Sequence, residues 1–301
     1  MEPTKSIWMD GELVPWAEAN VHVLSHGLHY GTGVFEGIRA YQNDDGTAVF
    51  RLRDHMERLL ASAEAYSMPI EYSLDDLVAA ARETILANEL ESCYIRPITF
   101  YETGTIGLNP GEARLRTSII AFPWGAYLGE DGLRNGIRVK IATWARISLQ
   151  SFPSAKATGP YINSVLANQD VTREGYDEAL LLTAEGNVSE GAGENLFLVK
   201  TGQVVTPPLS DGCLAGVTRD SVMTLLADDG FPVVEKSIIP DDLFGADELF
   251  FTGTAAEVTP IREVDDKPIG QPGPVTRRAQ ELFGDAVGGK LEQYRGWLEY
   301  V

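Results

Sequence analysis

The sequence carries two cysteines in 301 residues, Cys93 and Cys213, in unlike contexts. That scarcity excludes a disulfide framework and a zinc pattern, and it suits a reducing compartment. Long apolar runs are missing as well: none approaches the ~20 residues of a membrane-spanning helix. The stretch from Met1 to Asp10 has no basic region followed by an apolar run, so no signal peptide is expected. Positive charge is in short supply, with 24 Lys and Arg against 44 Asp and Glu and a formal net charge of −20. Such a chain is repelled by nucleic acid and by anionic membranes, and neither is expected as a partner. Internal repeats and low-complexity tracts are absent. These absences leave a soluble cytoplasmic protein as the expectation. The acid is spread along the chain, and arginine far outnumbers lysine. That fits adaptation to high intracellular salt, where screening tolerates self-repulsion, and it fits an ordinary acidic cytosolic protein equally well.

What is present is globular: 44% hydrophobic residues and a length suited to one large or two ordinary domains. Residues 7–14 predict a hairpin, with Asp10-Gly11 suited to a type I′ turn. A strand is expected at 48–52. Helical periodicity follows over 53–65, with Met56, Leu59, Leu60 and Ala63 on one face. A second amphipathic helix is expected over 74–90, N-capped by Ser73 with Asp76 three residues on. Strands at 93–100 and 117–122 complete an antiparallel sheet with two helices, an α+β pattern. Pro123, Trp124, Gly125, Tyr127 and Gly129 then break the periodicity and mark a linker, expected beside a cleft. Beyond it, strands are expected at 137–142, 178–182, 195–199, 231–238 and 248–251. Helices are expected over about 160–173, from the 214–220 turn to near 230, and over 274–283.

Several stretches carry chemical potential. Three of the four histidines, His22, His26 and His29, fall in one stretch, but no carboxylate or thiol completes a site nearby, so no metal is expected. Gly31, Gly33 and Gly37 miss the dinucleotide fingerprint by one position and suit close approach of backbone to a neighbour or ligand. Lys156 lies among small neutral residues, Ser154 to Asn163, just before a helix. It is either an ordinary loop lysine or a desolvated amine able to attack an aldehyde. Arg58 falls off the apolar stripe of its helix, where a solvated arginine is the default. Leu214 to Asp220 offers an anion site at a helix start, or a plain N-cap. Thr252 to Ala256 is a second glycine-hydroxyl turn with exposed N–H groups. Glu190 sits in the glycine-rich stretch 185–194. An amine, a carboxylate and two anion-friendly turns are what pyridoxal phosphate requires, for its aldehyde, its pyridine nitrogen and its phosphate.

At this point the motifs match a known family. Glu190-Gly191-Ala192-Gly193-Glu194-Asn195-Leu196-Phe197, then Thr206, then Leu214-Ala215-Gly216-Val217-Thr218-Arg219 resemble the signature of the fold-type IV pyridoxal phosphate enzymes. Lys156 in its Ala-Lys-Ala-Thr-Gly context, Tyr94-Ile95-Arg96-Pro97, Phe122-Pro123-Trp124-Gly125-Ala126-Tyr127 and Gly253-Thr254-Ala255-Ala256-Glu257-Val258-Thr259-Pro260 look most like branched-chain amino acid aminotransferases. The resemblance runs from about Ile7 to the C-terminal helix. It implies a small N-terminal α/β domain at 1–122, a linker at 123–130, and a larger cofactor-binding domain at 131–301 with a β-barrel-like core and flanking helices.

It also implies amino transfer between L-leucine, L-isoleucine or L-valine and 2-oxoglutarate, giving L-glutamate, with pyridoxal 5′-phosphate as cofactor. Lys156 would bond the cofactor and shuttle the proton. Glu190 would pair with the pyridine nitrogen and Tyr161 with the ring hydroxyl. Arg58, Val217, Thr218 and Thr254 would hold the phosphate. Tyr94 and the N–H groups of Thr254 and Ala255 would bind the α-carboxylate, and Arg96 the side-chain carboxylate of glutamate. Phe35, Tyr127 and Tyr161 would line an apolar wall. Tyr30 and Leu108 would come from a second subunit, implying a homodimer or a higher homo-oligomer. Within the same fold, a D-amino acid aminotransferase or an aminodeoxychorismate lyase is the alternative. A non-catalytic nucleotide- or cofactor-binding module built on Gly31 to Gly37 is a reading from another class.

Overall fold

The computed structural model describes residues 2–125 and 127–301; Ala126, within the expected linker and the Phe122–Tyr127 motif, lies outside the described residues. The chain forms two compact units. One comprises Met1–Trp124, Pro153–Tyr161 and Val287–Val301, and the other Gly125–Phe152 and Ile162–Ala286.

The first unit is built on an 8-stranded sheet among the described residues. Its order is Leu298–Tyr300, Gly46–Phe50, Ile38–Asn43, Cys93–Tyr101, Leu115–Phe122, Ser6–Met9, Glu12–Pro15, with Gly33–Phe35 also paired to Cys93–Tyr101. All its pairings are antiparallel. Successive side chains of a strand point to opposite faces. In the long strand Cys93–Tyr101, Cys93, Ile95 and Tyr101 therefore join the core, while Tyr94 and Arg96 fall on the other face. The helices Leu52–Ala65 and Leu74–Ala87 cover the core face with Met56, Leu59, Ala63, Leu77, Ala81 and Ile85. The second helix starts at the expected cap. The N–H of Asp76 donates to Ser73 Oγ at 3.2 Å and the N–H of Ser73 to Asp76 Oδ2 at 2.9 Å. The hairpin turn places Asp10 at φ 51° and Gly11 at φ 98°, the left-handed pair a type I′ turn needs.

The second unit holds a 9-stranded mixed sheet among the described residues. Its path runs Val188–Gly191, Glu178–Leu182, Ile137–Ile141, Glu257–Val264, Glu248–Gly253, Asn195–Lys200, Gln203–Thr206, Val233–Glu235, with Lys267–Pro268 also paired to Glu257–Val264. Ile137–Ile141 runs parallel to both its neighbours. A bridge between Val188 and Ile238 joins the first strand to the chain just past the last, and the sheet curls into a half-barrel. Its central strands are apolar on both faces, as strands covered on both sides must be. Phe197 and Phe250, both fully buried, stack at 4.9 Å.

Some elements depart from the sequence expectations. Glu257–Val264 forms a strand although it holds Pro260. The proline pairs with Phe250 on one side, and pairing with the parallel neighbour begins only at Ile261, so its missing N–H costs no ladder bond there. The strand expected at 231–238 shrinks to Val233–Glu235, which has the length of its single partner's pairing. Gly33–Phe35, Ile38–Asn43, Val188–Gly191, Gln203–Thr206 and Leu298–Tyr300 are strands without a strong local signal. Among the described residues no helix is long and apolar enough to cross a membrane.

Candidate active site

The first unit gathers Lys156, Tyr161, Phe35, Tyr94, Arg96 and Arg58. The lysine loop is laced to neighbouring strands and helix by its backbone. Lys156 N–H donates to Ser62 Oγ at 3.1 Å, Phe35 N–H donates to the Lys156 carbonyl at 3.0 Å, and Thr158 N–H donates to the Gly33 carbonyl at 2.8 Å. Gly31 makes this approach possible. It has φ 64°, and a Cβ there would lie 2.6 Å from Gly159 Cα. The glycine stretch thus cradles the lysine loop, the close approach its sequence suggested.

Lys156 Nζ hydrogen-bonds the Tyr161 hydroxyl and lies 4.8 Å from the centre of the Phe35 ring and 4.7 Å from that of Tyr161. Among the described residues no carboxylate pairs with it. Phe35 is shared, because the Arg96 guanidinium lies 4.9 Å from the same ring. Arg96 also donates to the Tyr94 hydroxyl at 3.1 Å, and its buried Nε has no partner among the described residues.

Arg58 does not lie on a solvated helix face. Its Nε and Nη2 donate to the two oxygens of Glu36 at 2.7 and 2.8 Å, and His55 Nδ1 donates to the same carboxylate at 2.8 Å. His55, Arg58 and Ser62 stand three and four residues apart, one face of the Leu52–Ala65 helix. Glu36 gives no local signal, since its partner Arg58 is 22 residues away.

The second unit gathers Glu190, Val217, Thr218, Thr254 and Ala255. Glu190 is buried. Its Oε1 pairs with Arg146 at 2.7 Å, and its Oε2 accepts from the N–H of Leu214 at 2.9 Å and from Asn195 Nδ2 at 3.4 Å. A cation and two N–H donors thus surround the carboxylate. Arg146 and Asn195 were not singled out from sequence. Arg146 lies in a stretch without periodicity, while Asn195 stood inside the quoted signature.

The helix Val217–Asp228 begins at Gly216, which has no side chain to cap it. Thr218 is therefore a first-turn residue, not the N-cap. A Cβ at Gly216 would overlap Asn195 Oδ1. In the turn after Glu248–Gly253, the N–H groups of Thr254 and Ala255 donate to no backbone carbonyl among the described residues. The buried hydroxyl of Thr252 has no partner there either. An uncapped helix start and a turn with free donors fit an anionic group. An amine bonded to a phenol fits an aldehyde, and a carboxylate ringed by a cation and N–H donors fits a ring nitrogen that carries a proton. The donor set therefore suits pyridoxal phosphate.

The remaining expected residues are more exposed. Tyr30 donates its hydroxyl to the Ile106 carbonyl at 2.6 Å. Leu108 is 82% exposed, and Tyr127 is exposed too. The three histidines of one stretch take separate partners: His26 with Thr32 and Gly107, His29 with Val23, and His22 with Leu24.

The fold and these residue sets define a class. The chain matches the Amino-transferase class IV family over residues 33–264, and it belongs to that family. Within it, the chain is similar to the branched-chain-amino-acid aminotransferase of Pseudomonas aeruginosa. The two are 49% identical over 298 residues, covering 98% of this chain and 97% of that protein. It is similar to the crystal structure of the Escherichia coli branched-chain amino acid aminotransferase, with TM-score 0.96 and 45% identity over 98% of this chain and 99% of the other. The branched-chain amino acid aminotransferase from Thermobaculum terrenum, solved in its PLP-form, gives TM-score 0.92 and 34% identity over 99% of each chain.

Proposed function

We propose that the protein is a pyridoxal 5′-phosphate-dependent aminotransferase that moves the amino group between L-leucine, L-isoleucine or L-valine and 2-oxoglutarate. The observation that carries this reading is the Lys156 amine, bonded to a phenol and flanked by ring faces, with no carboxylate paired to it among the described residues. Bound cofactor supplies an aldehyde for amine exchange and a ring that withdraws electrons from the substrate Cα.

The chain's own residues do the rest. Lys156 Nζ takes the proton from Cα and returns it on the other side of the transfer, as base and then acid. Tyr161 hydrogen-bonds that nitrogen, fixes its position and reaches the cofactor ring hydroxyl. Glu190, steadied by Arg146, keeps the pyridine nitrogen protonated. Arg58 and the turns at Val217, Thr218 and Thr254 bind the phosphate. Tyr94, with the N–H groups of Thr254 and Ala255, takes the substrate α-carboxylate. Arg96 takes the second carboxylate of glutamate. Its guanidinium lies against the Phe35 and Tyr94 rings, so an apolar side chain meets aromatic surface rather than a bare charge.

Phe35, Tyr127 and Tyr161 form the apolar wall, with Tyr30 and Leu108 supplied by a second copy in a homodimer or larger homo-oligomer. Residues 1–122 and 131–301 serve as small and large domains in this reading, joined by 123–130, and the enzyme works in the cytoplasm. High-salt adaptation is compatible with its charge.

Purified protein given L-leucine and 2-oxoglutarate should form L-glutamate. Consumption of D-alanine without glutamate formation from L-leucine would overturn the proposal. Lys156→Ala should lose the visible-edge absorbance of the bound cofactor and nearly all turnover.

A further inference from the structure

We propose that Glu36 is a positioning residue for the cofactor phosphate: it fixes the plane and direction of the Arg58 guanidinium that receives the phosphate, with His55 holding the carboxylate in turn. The inference rests on the reading of Arg58 as a phosphate ligand. Glu36 is 0% exposed, and its partners account for both of its oxygens. Oε1 accepts from Arg58 Nε, and Oε2 accepts from Arg58 Nη2, from His55 Nδ1 and from the N–H of Gly37 at 3.2 Å. A side-on pair through Nε and one terminal nitrogen fixes both the rotation and the tilt of a planar guanidinium. The phosphate then meets an arginine whose rotamer freedom is already spent.

The backbone carries the same register to the lysine. Glu36 N–H donates to the Pro97 carbonyl at 2.9 Å, and the preceding residue, Phe35, donates to the Lys156 carbonyl. On the helix side, Ser62 holds the Lys156 N–H one turn beyond Arg58. The groups for the two ends of the cofactor, aldehyde and phosphate, are thereby tied to one short segment, residues 35–36.

Charge and position make opposite demands here, which sharpens the test. A buried carboxylate beside Arg58 opposes the approach of an anion, so removing its charge would tighten phosphate binding if Coulomb attraction alone mattered. Positioning requires the reverse. Full-length protein stripped of cofactor is titrated by equilibrium dialysis with pyridoxal 5′-phosphate and with pyridoxal, which lacks the phosphate. Glu36→Gln should weaken binding of the phosphorylated ligand by about 10–100-fold, the scale on which partners behind a ligand-holding residue act, and leave pyridoxal unchanged.

Tighter or unchanged binding of pyridoxal 5′-phosphate overturns the proposal, as does an equal loss for both ligands. Arg58→Ala separates the two layers. If it leaves the preference for the phosphorylated ligand intact, the phosphate role of Arg58 fails. If it removes the preference and Glu36→Gln does not, only the positioning role fails. Should Glu36→Gln not fold, His55→Ala decides, because it removes one of the donors to Oε2 while keeping the ion pair. A smaller loss confined to pyridoxal 5′-phosphate is expected, and an unchanged preference overturns the inference.

Discussion

At the scale of single residues, the buried trio of the first unit sets how the protein meets acid. Burial would raise the Glu36 carboxyl, but the Arg58 charge and the hydrogen bonds from Arg58 and His55 reverse this and hold it well below the usual carboxylate range. Burial pushes His55 down, against the pull of Glu36. Both groups bind a proton less readily folded than unfolded. Their contribution to stability is therefore complete above the ordinary values of 6.5 and 4.5 and is lost as pH falls below them. Melting temperature should fall from pH 7 toward pH 4, and His55→Gln should flatten the part of the curve just below 6.5. An unchanged slope in thermal melts would refute the assignment. The thiols make a second expectation. Burial pushes Cys93 and Cys213 up to about 12, with the Glu190 charge adding to Cys213. Ellman's reagent at pH 8 should react with neither until the chain unfolds.

Lys156, Glu190 and Thr218 stood out as candidates because each stands in a compact motif, while the roles expected of them came from the resemblance. Arg58 was legible only through the resemblance, and its helix position alone suggested solvent. Glu36 and Arg146 were not legible, because a pairing across the fold leaves no periodicity in either partner's neighbourhood.

At the scale of elements, the helices of the first unit were readable from apolar spacing and a serine cap, because those signals are local. The curled sheet of the second unit was readable only in part. Glu257–Val264 alternates little and contains a proline, and its identity as a strand comes from the strands it pairs with. Ser73→Ala removes the capping box and should cost ~1 kcal/mol in denaturant unfolding, without altering turnover. The Val217–Asp228 helix makes the opposite expectation. Gly216→Ala drives a methyl into Asn195 Oδ1, and Asn195 also donates to the Leu214 carbonyl at 2.9 Å and to Glu190. The first turn must shift, so affinity for pyridoxal 5′-phosphate should drop by about tenfold or more, with global stability less affected. Dialysis affinity and a thermal melt on the same variant check both halves.

At the scale of the whole molecule, the excess of acid acts on stability rather than on fold. A net charge of −20 destabilises any compact state through self-repulsion. Exposed ion pairs such as Lys5 with Glu89 and Arg295 with Asp45 offset little of this, since pairs in water contribute ~0–1 kcal/mol. Salt acts on the two effects with opposite sign. Between ~0.01 M and ~1 M the Debye length falls from ~30 Å to ~3 Å, which removes long-range repulsion and weakens surface pairs together. The buried Glu36–Arg58 pair is screened much less, because ions do not reach it. Repulsion grows with every acid in the chain, while the exposed pairs each act alone, so repulsion dominates. Melting temperature should therefore rise with potassium chloride across that range and level off near molar salt. An equal concentration of a neutral osmolyte separates charge screening from general exclusion of solute. A flat or falling curve in potassium chloride would mean that the acidic surface carries no stability cost, and the high-salt reading would fall with it.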